Sequence, residues 1–484
     1  MGRSACPDSG PSGAGRAVLK RFPFGPLEPD KPLSQSRAYN VLPAANGYRP
    51  VKSPVTFAAT LAGLINGASY VSSDGVSSMI AGTATDIYRY DGTNWNSVLG
   101  GLTASVWRFS QFGDLAIAVN GGTPVKYDLT AGTAGALGGS PPVSDLVATV
   151  RDQVFLAGDP MARNTLGISG YNDSEGWTAG TNQCLYVPFP AGGDIMGLAG
   201  GETGIILQQN AVRRATYNAD GVTWWTFDEI ASDVGCMAKG SVARAGQLVF
   251  FLSEEGFKVT DRNTVQPIGL EKIDRDFFSL YSRDDIAKMT CAVDPRATTV
   301  MWAIPGIPGR IWCYDWTLGE WSTIDTSLRA IFSGFTSSLS IDALDALYPG
   351  GIDSIPGSLD ADLFSGGNPL LVLAGNDGAV CTLSGPNMPA SFVIKPTEIG
   401  DGMRVRIRGA RVVSDAVQGT VTVDVRARAG DAEYKVTSGG IRDNGRVPLR
   451  ANGRHVGLQV DIPEGAIWSY ALGIDCEFET EGVR

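Results

Sequence analysis

The feature that most constrains the fold is a recurring unit, a short apolar or aromatic run that ends in a turn-forming Asp. The aspartates that mark the unit are separated by 37, 45, 47, 41, 54 and 62 residues. They are Asp91, Asp128, Asp173, Asp220, Asp261, Asp315 and Asp377. Repeats of about 40–50 residues built from short strands are typical of β-propellers, in which each blade is a four-stranded sheet.

The repeat therefore predicts an all-β chain with a degenerate β-propeller of six or seven blades. Radial stacking would bury both faces of each short sheet and leave only short edges. The 62 Gly and 27 Pro residues suit many turns. Helical patterns at 270–278 and 341–347 fall inside the two longest intervals and predict insertions near 265–290 and 335–365. The alternative is a β-sandwich protein with unrelated turns.

The two ends of the chain differ from the repeat. Residues 391–484 contain strictly alternating runs, such as Met403–Val412, and predict an antiparallel, sandwich-like β domain. Residues 1–50 are rich in Pro, Gly and Ser, with prolines at every third position from Pro23 to Pro32. We expect an extended arm there, which would gain order only on a partner. The domain boundaries are thus 1–50, 51–390 for the propeller, and 391–484.

Composition excludes several classes of function. The net charge of −11 argues against a tight, sequence-reading nucleic-acid binder, whose surface would be basic. A single histidine, His455, excludes His-rich metal sites and two-histidine mechanisms. The seven cysteines are scattered, without the spacing of a disulfide framework or a zinc site. No run of about 18 apolar residues occurs, so the sequence predicts no membrane-spanning segment.

The search for chemical motifs yields no catalytic, cofactor-binding or metal-binding site. Neither a phosphate-binding P-loop nor a nucleophile elbow is present. The acidic residues of one loop region lack the spacing of a calcium loop, and we expect solvated carboxylates there. They are Asp342, Asp345, Asp353, Asp360 and Asp362. The chain is therefore predicted not to be an enzyme and to need no cofactor.

The one concentrated basic feature is an arginine stripe in the C-terminal domain. It consists of Arg404, Arg406, Arg408, Arg411, Arg426 and Arg428. On the first of its strands, alternation places Val405 and Ile407 on the opposite face from the arginines. The stripe is either a solvated sheet face whose charges meet nearby carboxylates, or a subunit interface or phosphate contact.

Several segments, in this order, resemble one family of phage proteins. They are Asn40–Pro50, Gly82–Gly92, Trp107–Gly121, Gly235–Val242, Phe251–Phe257, Ile341–Leu347 and Asn452–Val456. The family is the tail nozzle of short-tailed bacteriophages, also called tail tubular protein B or tail hub. It is similar in role to the packaged-DNA stabilisation proteins that close the portal.

The resemblance implies a structural virion protein, made in the host bacterial cytoplasm and assembled as a ring of six copies, a homohexamer. The ring would lie below the adaptor and portal, form and gate the distal DNA channel, and carry tail fibres or spikes. Six chains at −11 would carry about −66, which suits a wall past which double-stranded DNA moves without sequence recognition. The alternatives are a propeller adhesin or scaffold, and a tail-borne carbohydrate-active enzyme with convergent carboxylates.

Overall fold

The computed structural model describes residues 18–31, 35–73, 76–104, 106–219, 223–294, 296–335, 369–426, 428, 435–442 and 444–481. The predicted helix at 341–347 and most of the second insertion lie outside these residues. Within them, almost all regular structure is β-strand. The first five strands are β1 (Val18–Pro23), β2 (Gln35–Tyr39), β3 (Val41–Ala44), β4 (Gly47–Pro50) and β5 (Lys52–Ala58).

Four antiparallel blades of four strands each then follow one another along the chain. Blade 1 is β6 (Gly67–Ser73), β7 (Val76–Gly82), β8 (Ile87–Tyr90) and β9 (Trp95–Leu99). Blade 2 is β10 (Arg108–Phe112), β11 (Leu115–Val119), β12 (Val125–Asp128) and β13 (Ala134–Ala136). Blade 3 is β14 (Leu146–Val150), β15 (Gln153–Ala157), β16 (Thr165–Ile168) and β17 (Leu185–Pro188). Blade 4 is β18 (Ile195–Ala199), β19 (Gly204–Gln208), β20 (Ala211–Tyr217) and β21 (Trp225–Ser232).

The next blades include an insertion. Blade 5 is β22 (Ala243–Ala245), β23 (Leu248–Ser253), β24 (Gly256–Thr260) and β25 (Val265–Pro267). Two short helices follow, α1 (Asp274–Leu280) and α2 (Arg283–Ala287), inside the first predicted insertion. Blade 6 is β26 (Thr290–Asp294), β27 (Thr299–Ile304), β28 (Gly306–Asp315) and β29 (Glu320–Leu328).

The seventh blade closes the ring by combining distant parts of the chain. It contains β30 (Ala330–Phe335), β31 (Pro369–Ala374) and β32 (Val380–Asn387), with β5 as its outer strand. The innermost strand β30 packs against both β26 of blade 6 and β6 of blade 1. The described residues thus form a seven-bladed β-propeller, which confirms the predicted fold class.

The recurring aspartates have a structural role in the blades. In blade 1, an Asp91 carboxylate oxygen accepts hydrogen bonds from the backbone N–H groups of Thr93 (2.8 Å) and Asn94 (2.7 Å). The same turn joins the third and fourth strands in blades 2, 5 and 6, at Asp128, Asp261 and Asp315. An Asp in this position satisfies turn amides that no strand can reach. Asp220 lies outside the described residues.

The C-terminal strands form the predicted antiparallel domain. They are β33 (Ala390–Glu398), β34 (Arg404–Ser414), β35 (Thr420–Arg426), β36 (Lys435–Gly440), β37 (Arg446–Gly453), β38 (His455–Ile462) and β39 (Ala471–Glu481). One sheet has the order β3-β4-β39-β34-β37, with β1 also paired to β39. The other has the order β2-β33-β38-β35-β36 and continues through β2 into β29 of blade 6.

The expectation of an arm that orders only on a partner is wrong for the described part of residues 18–50. These residues form β1 to β4 and pair with the chain's own C-terminal domain. The Phe24 ring stacks on Phe392 with 4.3 Å between ring centroids, and the Tyr48 hydroxyl donates to the Gly25 carbonyl at 3.1 Å. Prolines favour extended backbone, and extended backbone becomes a strand once a partner strand lies beside it.

The cores of the propeller and the C-terminal domain are continuous. One cluster of buried side chains includes Trp302 and Trp321 of blade 6 together with Phe392 and Val405 of the sandwich. The rings of Trp302 and Trp321 stack with 5.6 Å between centroids, and both also contact Phe257 of blade 5, so these tryptophans pack blade 6 against blade 5. The sandwich is therefore attached to blade 6 by both a shared sheet and a shared core.

Candidate interface on the C-terminal sandwich

The outer face of β34 carries four of the six predicted arginines. Arg404, Arg406, Arg408 and Arg411 are exposed, while the residues between them are buried. Val405 and Ile407 are at most 1% exposed and pack into the shared core. The alternation read from the sequence therefore holds from Arg404 to Arg408, because successive side chains of a strand point to opposite faces, and a β-bulge after Ile407 returns Arg411 to the exposed face.

A row of acidic side chains on β39 lies beside these arginines. Its members are Asp475, Glu477, Glu479 and Glu481. In the register of the two strands, Arg404 is paired with Glu481 and Arg406 with Glu479. The Arg408 guanidinium lies 2.6 Å from Glu479, and Arg406 lies 3.7 Å from Glu481. Arg406 and Arg408 therefore lie close to carboxylates on the neighbouring strand, and Arg404 and Arg411 stand opposite Glu481 and Asp475 in the register.

Arginines from two further strands complete this charged face. Arg446 of β37 forms an ion pair with Glu477. Arg21 of β1 makes a two-point contact with Asp475, at 2.7 and 2.9 Å. The hydrogen bond from Arg21 lowers the pKa of the Asp475 carboxyl, and the charge of Arg411 acts in the same direction. We call these ten residues of β1, β34, β37 and β39 the charged face.

The remaining two predicted arginines lie elsewhere, so the stripe of six is not one surface. Arg426 belongs to β35 in the other sheet, where it donates to Asp424 at 3.1 and 2.7 Å. Arg428 is exposed beyond the end of β35. Alternation indicates on which face of a strand a residue lies, but not which sheet receives the strand. An interface or phosphate role for the six residues stays a prediction.

The ion pairs of the charged face contribute little to the free energy of folding of the isolated chain. Exposed ion pairs contribute about 0.2–1 kcal/mol each and are screened by salt. Its arginines already have carboxylate neighbours, so a phosphate would compete with Asp475 and the three glutamates. Such a face is better suited to an oppositely patterned protein surface than to DNA. The acidic row was missed in the sequence, although acids at every second position from 475 to 481 signal it.

A second candidate lies at the centre of the propeller. A cavity of about 400 Å³ is lined by the innermost strands of blades 1 to 5. Its polar side chains bond to one another and to backbone: Ser110 to Thr149 at 2.8 Å, and Thr149 to the Gln111 carbonyl at 2.7 Å. These bonds tie the innermost strands of blades 2 and 3 together.

Metal ligands, membrane spans and reactive thiols are three further features that could carry a function. The described residues contain no group of three or more His, Cys, Asp or Glu side chains placed to hold a metal ion. The acidic loop from Asp342 to Asp362 lies outside them. No helix among the described residues is long and apolar enough to cross a membrane. Burial raises the pKa of the Cys236 thiol to about 11, as expected for a small core side chain rather than a nucleophile.

Comparisons with known proteins add a likeness in fold. No protein-family model and no curated protein matches the sequence. Among solved structures, the RRP9 WD40 repeats match 59% of this chain and 88% of their own at 10% identity, with a TM-score of 0.37. The Pan2 WD40 domain of Neurospora crassa matches 72% and 98% at 9% identity, with a TM-score of 0.38. PorZ, a type-IX secretion component of Porphyromonas gingivalis, matches 58% and 36% at 11% identity, with a TM-score of 0.35.

Proposed function

We propose that this protein is a structural subunit of a short-tailed phage tail. About six copies would form a ring that continues the portal and adaptor, conducts and gates double-stranded DNA, and carries fibres or spikes. The observation that carries the proposal is the ordered set of segments from Asn40 to Val456 that resembles the tail nozzle family. The seven-bladed propeller fused to a sandwich is compatible with this role.

The distribution of charge supports a channel function. Residues 51–390 contain 19 Lys and Arg against 34 Asp and Glu, a formal net charge of −15. Residues 391–484 contain 13 of each kind, and residues 1–50 carry a net charge of +4. Because DNA binding gains most of its free energy from cations that displace counterions, an acidic body offers DNA little attraction. Such a wall lets DNA slide past.

The charged face supports assembly through protein contacts. Neighbouring rows of arginines and carboxylates on a sheet can form ion pairs with a second surface that carries similar rows, if that surface is displaced so that opposite charges face each other. In a ring, each subunit contacts its two neighbours through two different surfaces. A surface that carries both arginines and carboxylates therefore needs a surface of complementary charge elsewhere on the same chain. This face is therefore our candidate for one side of the subunit contact.

Electron microscopy of the purified full chain, and of phage tails that contain it, tests the proposal. We expect hollow rings of about six copies, and no retardation of a linear double-stranded DNA by the protein in a mobility-shift assay at physiological salt. A chain that stays monomeric at every concentration and occurs singly in particles would refute the ring. Tight DNA retention would refute the passive wall.

A further inference from the structure

We propose that one face of the propeller, at the turns of blades 3 and 4, is a carbohydrate-binding site. Three aromatic side chains define it: Tyr171, Tyr217 and Trp224. Tyr171 follows β16, Tyr217 ends β20, and Trp224 directly precedes β21. The residues 220–222 lie outside the described part of the chain and are not included in the site. This inference goes beyond the channel role and does not depend on it.

The three rings form a nearly parallel row. The centroids of Tyr171 and Tyr217 are 6.3 Å apart with planes inclined by 24°, and those of Tyr217 and Trp224 are 6.5 Å apart with planes inclined by 21°. The Tyr171 side chain is 41% exposed, and the other two are half-buried. Tyr171 and Trp224, at the two ends of the row, are the rings that offer apolar area to a sugar, because the Arg151 guanidinium lies over the central Tyr217 ring.

Polar side chains surround the row. The Arg151 guanidinium lies over the Tyr217 ring, 4.8 Å from its centroid, and 3.7 Å from the Glu202 carboxylate. The charge of the nearby Asp152 carboxylate raises the pKa of Tyr171. Donors and acceptors for hydroxyl groups therefore lie beside the aromatic area.

The loop that carries Tyr171 is fixed before any ligand arrives. The Tyr171 N–H donates to the Asn182 carbonyl at 2.8 Å, and the Asn182 side-chain amide donates to the Tyr171 carbonyl at 3.0 Å. The Asn172 N–H donates to the Asp152 carbonyl at 2.8 Å, which connects this loop to the turn after β14. Asn172 and Asn182 adopt the left-handed conformation, with φ of 50° and 47°.

The Tyr217 and Glu202 sides of the site are also held from behind. Trp225, which is 3% exposed, packs edge-on against Tyr217 and donates its indole N–H to Gln153 at 2.8 Å. The buried Arg262 of blade 5 donates to the carbonyls of Gly200 and Thr203, on either side of the Glu202 turn. Preorganised groups bind a ligand at a lower entropic cost.

The chemistry of the site favours a carbohydrate over the other ligands that stack on aromatic rings. A pyranose has an apolar C–H face and hydroxyl groups at its rim, which match rings bordered by carboxylate, guanidinium and amide groups. Arg151, Asp152 and Glu202 together carry a net charge of −1, and the surrounding propeller is acidic. Single-stranded nucleic acid also stacks on aromatic rings, but it needs a positively charged groove. The ligand that fits this site is therefore a neutral glycan chain.

Titration of the full chain with cellohexaose, chitohexaose, maltohexaose and laminarihexaose, followed by saturation-transfer NMR and calorimetry, tests the site. We expect at least one hexasaccharide to bind at millimolar or lower concentration. Tyr171→Ala and Trp224→Ala should weaken that binding about tenfold or more, as expected for loss of a central aromatic contact. Glu202→Gln should weaken it less. The control is Tyr470→Ala, which removes a tyrosine of similar exposure (45%) from the sandwich and should leave binding unchanged.

Three outcomes overturn the proposal. They are no binding of any of the four hexasaccharides, binding that survives Tyr171→Ala and Trp224→Ala equally, and binding of a single-stranded DNA 20-mer that the same variants abolish. Circular dichroism of each variant shows whether the blades stay folded. Ring formation, examined on the same samples by electron microscopy, reports on the channel proposal separately.

Discussion

The propeller and the sandwich are built from the chain in opposite ways. Each of blades 1 to 6 uses one continuous segment, and each strand pairs with the next strand along the chain. The sandwich instead combines both ends of the chain, so that Arg21 meets Asp475 across 454 positions. Blade 7 lies between these extremes, because β5 closes it from the other end of the propeller. Local pairing leaves a periodic signal in the sequence, whereas pairing of distant ends leaves none.

This difference predicts how the molecule responds to damage. Local hairpins form with a small loss of chain entropy, while pairing of the chain ends closes a loop of hundreds of residues. The sandwich should therefore depend more on its packing than any single blade does. It is also joined to blade 6 through β2 and the shared core, and Leu42 of β3 packs with Met301 of blade 6, so a defect in the sandwich can reach the propeller by these routes.

The largest expected effect follows from Phe392→Ala in the sandwich. Phe392 is fully buried and packs on Phe24 and Tyr48, the side chains that hold the N-terminal strands. Removal of a buried phenylalanine ring costs about 3–5 kcal/mol of the free energy of unfolding. Denaturant titration measures this loss, and amide hydrogen exchange shows where protection is lost. We expect the loss in β1 to β4 and β33 to β39.

The matched variant is Phe251→Ala, which removes an equally buried ring from blade 5. It should lower the free energy of unfolding by a similar amount, but the amides that lose protection from hydrogen exchange should be those of blades 4 and 5. Equal loss of protection over the whole chain in both variants would show that propeller and sandwich unfold as one unit. The propeller and the sandwich would then not be separate units of stability.

The second prediction concerns the junction between the two regions, at Asn40. Its side-chain amide nitrogen donates to the Pro389 carbonyl at 2.8 Å, and its side-chain oxygen Oδ1 accepts from the Asp325 N–H of β29 at 2.8 Å. Asn40→Ala leaves these buried groups unsatisfied and should cost about 1–3 kcal/mol of unfolding free energy. The residue also has φ of 57°, a conformation that alanine adopts with strain.

Asn40→Gly separates the two causes, because glycine accepts this φ but lacks the amide. It should be destabilising, but less so than Asn40→Ala, in the same denaturant titrations. Unchanged stability in both variants would mean that the side chain contributes nothing to the junction.

The sequence allowed the blades to be predicted for a physical reason. The carboxylates of Asp91 and Asp261 bond to amides two and three residues later, so each turn is specified by its own segment. The N-terminal strands could not be predicted in this way. The residues around Phe24 become strands only because Phe392 and β39 lie beside them, and no nearby residue signals that partner.

The third prediction is a pH dependence at the insertion, which belongs to neither repeat nor sandwich. Asp274, at the start of α1, is 7% exposed and accepts a hydrogen bond from the Phe257 N–H at 3.1 Å. Burial raises the pKa of its carboxyl to about 6. Since this pKa lies above that of the unfolded chain, near 3.9, protonation favours the fold. The contribution of the protonated Asp274 carboxyl to stability is present below about pH 4 and is lost as the pH rises through 6.

Asp274→Asn should therefore reduce the pH dependence of the free energy of unfolding between about pH 4 and 6. It should also raise the free energy of unfolding at pH 8 by roughly 1–2 kcal/mol. Thermal or urea unfolding across this range measures the change. The control is Asp284→Asn on α2, whose side chain is exposed and which should retain the slope. An unaltered slope in Asp274→Asn would assign the pH dependence to other groups.

The candidate interface was only partly predictable. Alternation placed Arg406 and Arg408 on an outer face correctly, because side-chain direction is a local property of a strand. The same reasoning could not tell that Arg426 enters the other sheet, or that Glu479 lies beside Arg408, since both depend on which strands become neighbours. Pairing between strands thus limits what the sequence reveals, in the site as in the fold.

Substitutions on the charged face are expected to change the stability of the subunit least. If the face is a subunit contact, the same substitutions should change assembly most. Arg408→Ala removes an exposed partner of Glu479 and should cost about 0.2–1 kcal/mol, less at high salt. Arg406→Glu should leave the subunit folded but block ring and tail assembly. Normal particles from Arg406→Glu would favour a face whose charges only meet their own carboxylates.

Exchange of the pair, Arg408→Glu with Glu479→Arg, distinguishes the two roles directly. The exchange restores the ion pair between positions 408 and 479 but places an arginine opposite Arg406, so the free energy of unfolding should stay within about 1 kcal/mol of that of the parent protein in either case. A partner surface, however, meets the charges in reversed order, and like charges then face each other across the contact at a cost of several kcal/mol. A folded double variant that fails to form rings would therefore identify the face as an interface. A double variant that assembles normally would show that these arginines interact only with carboxylates of their own sandwich.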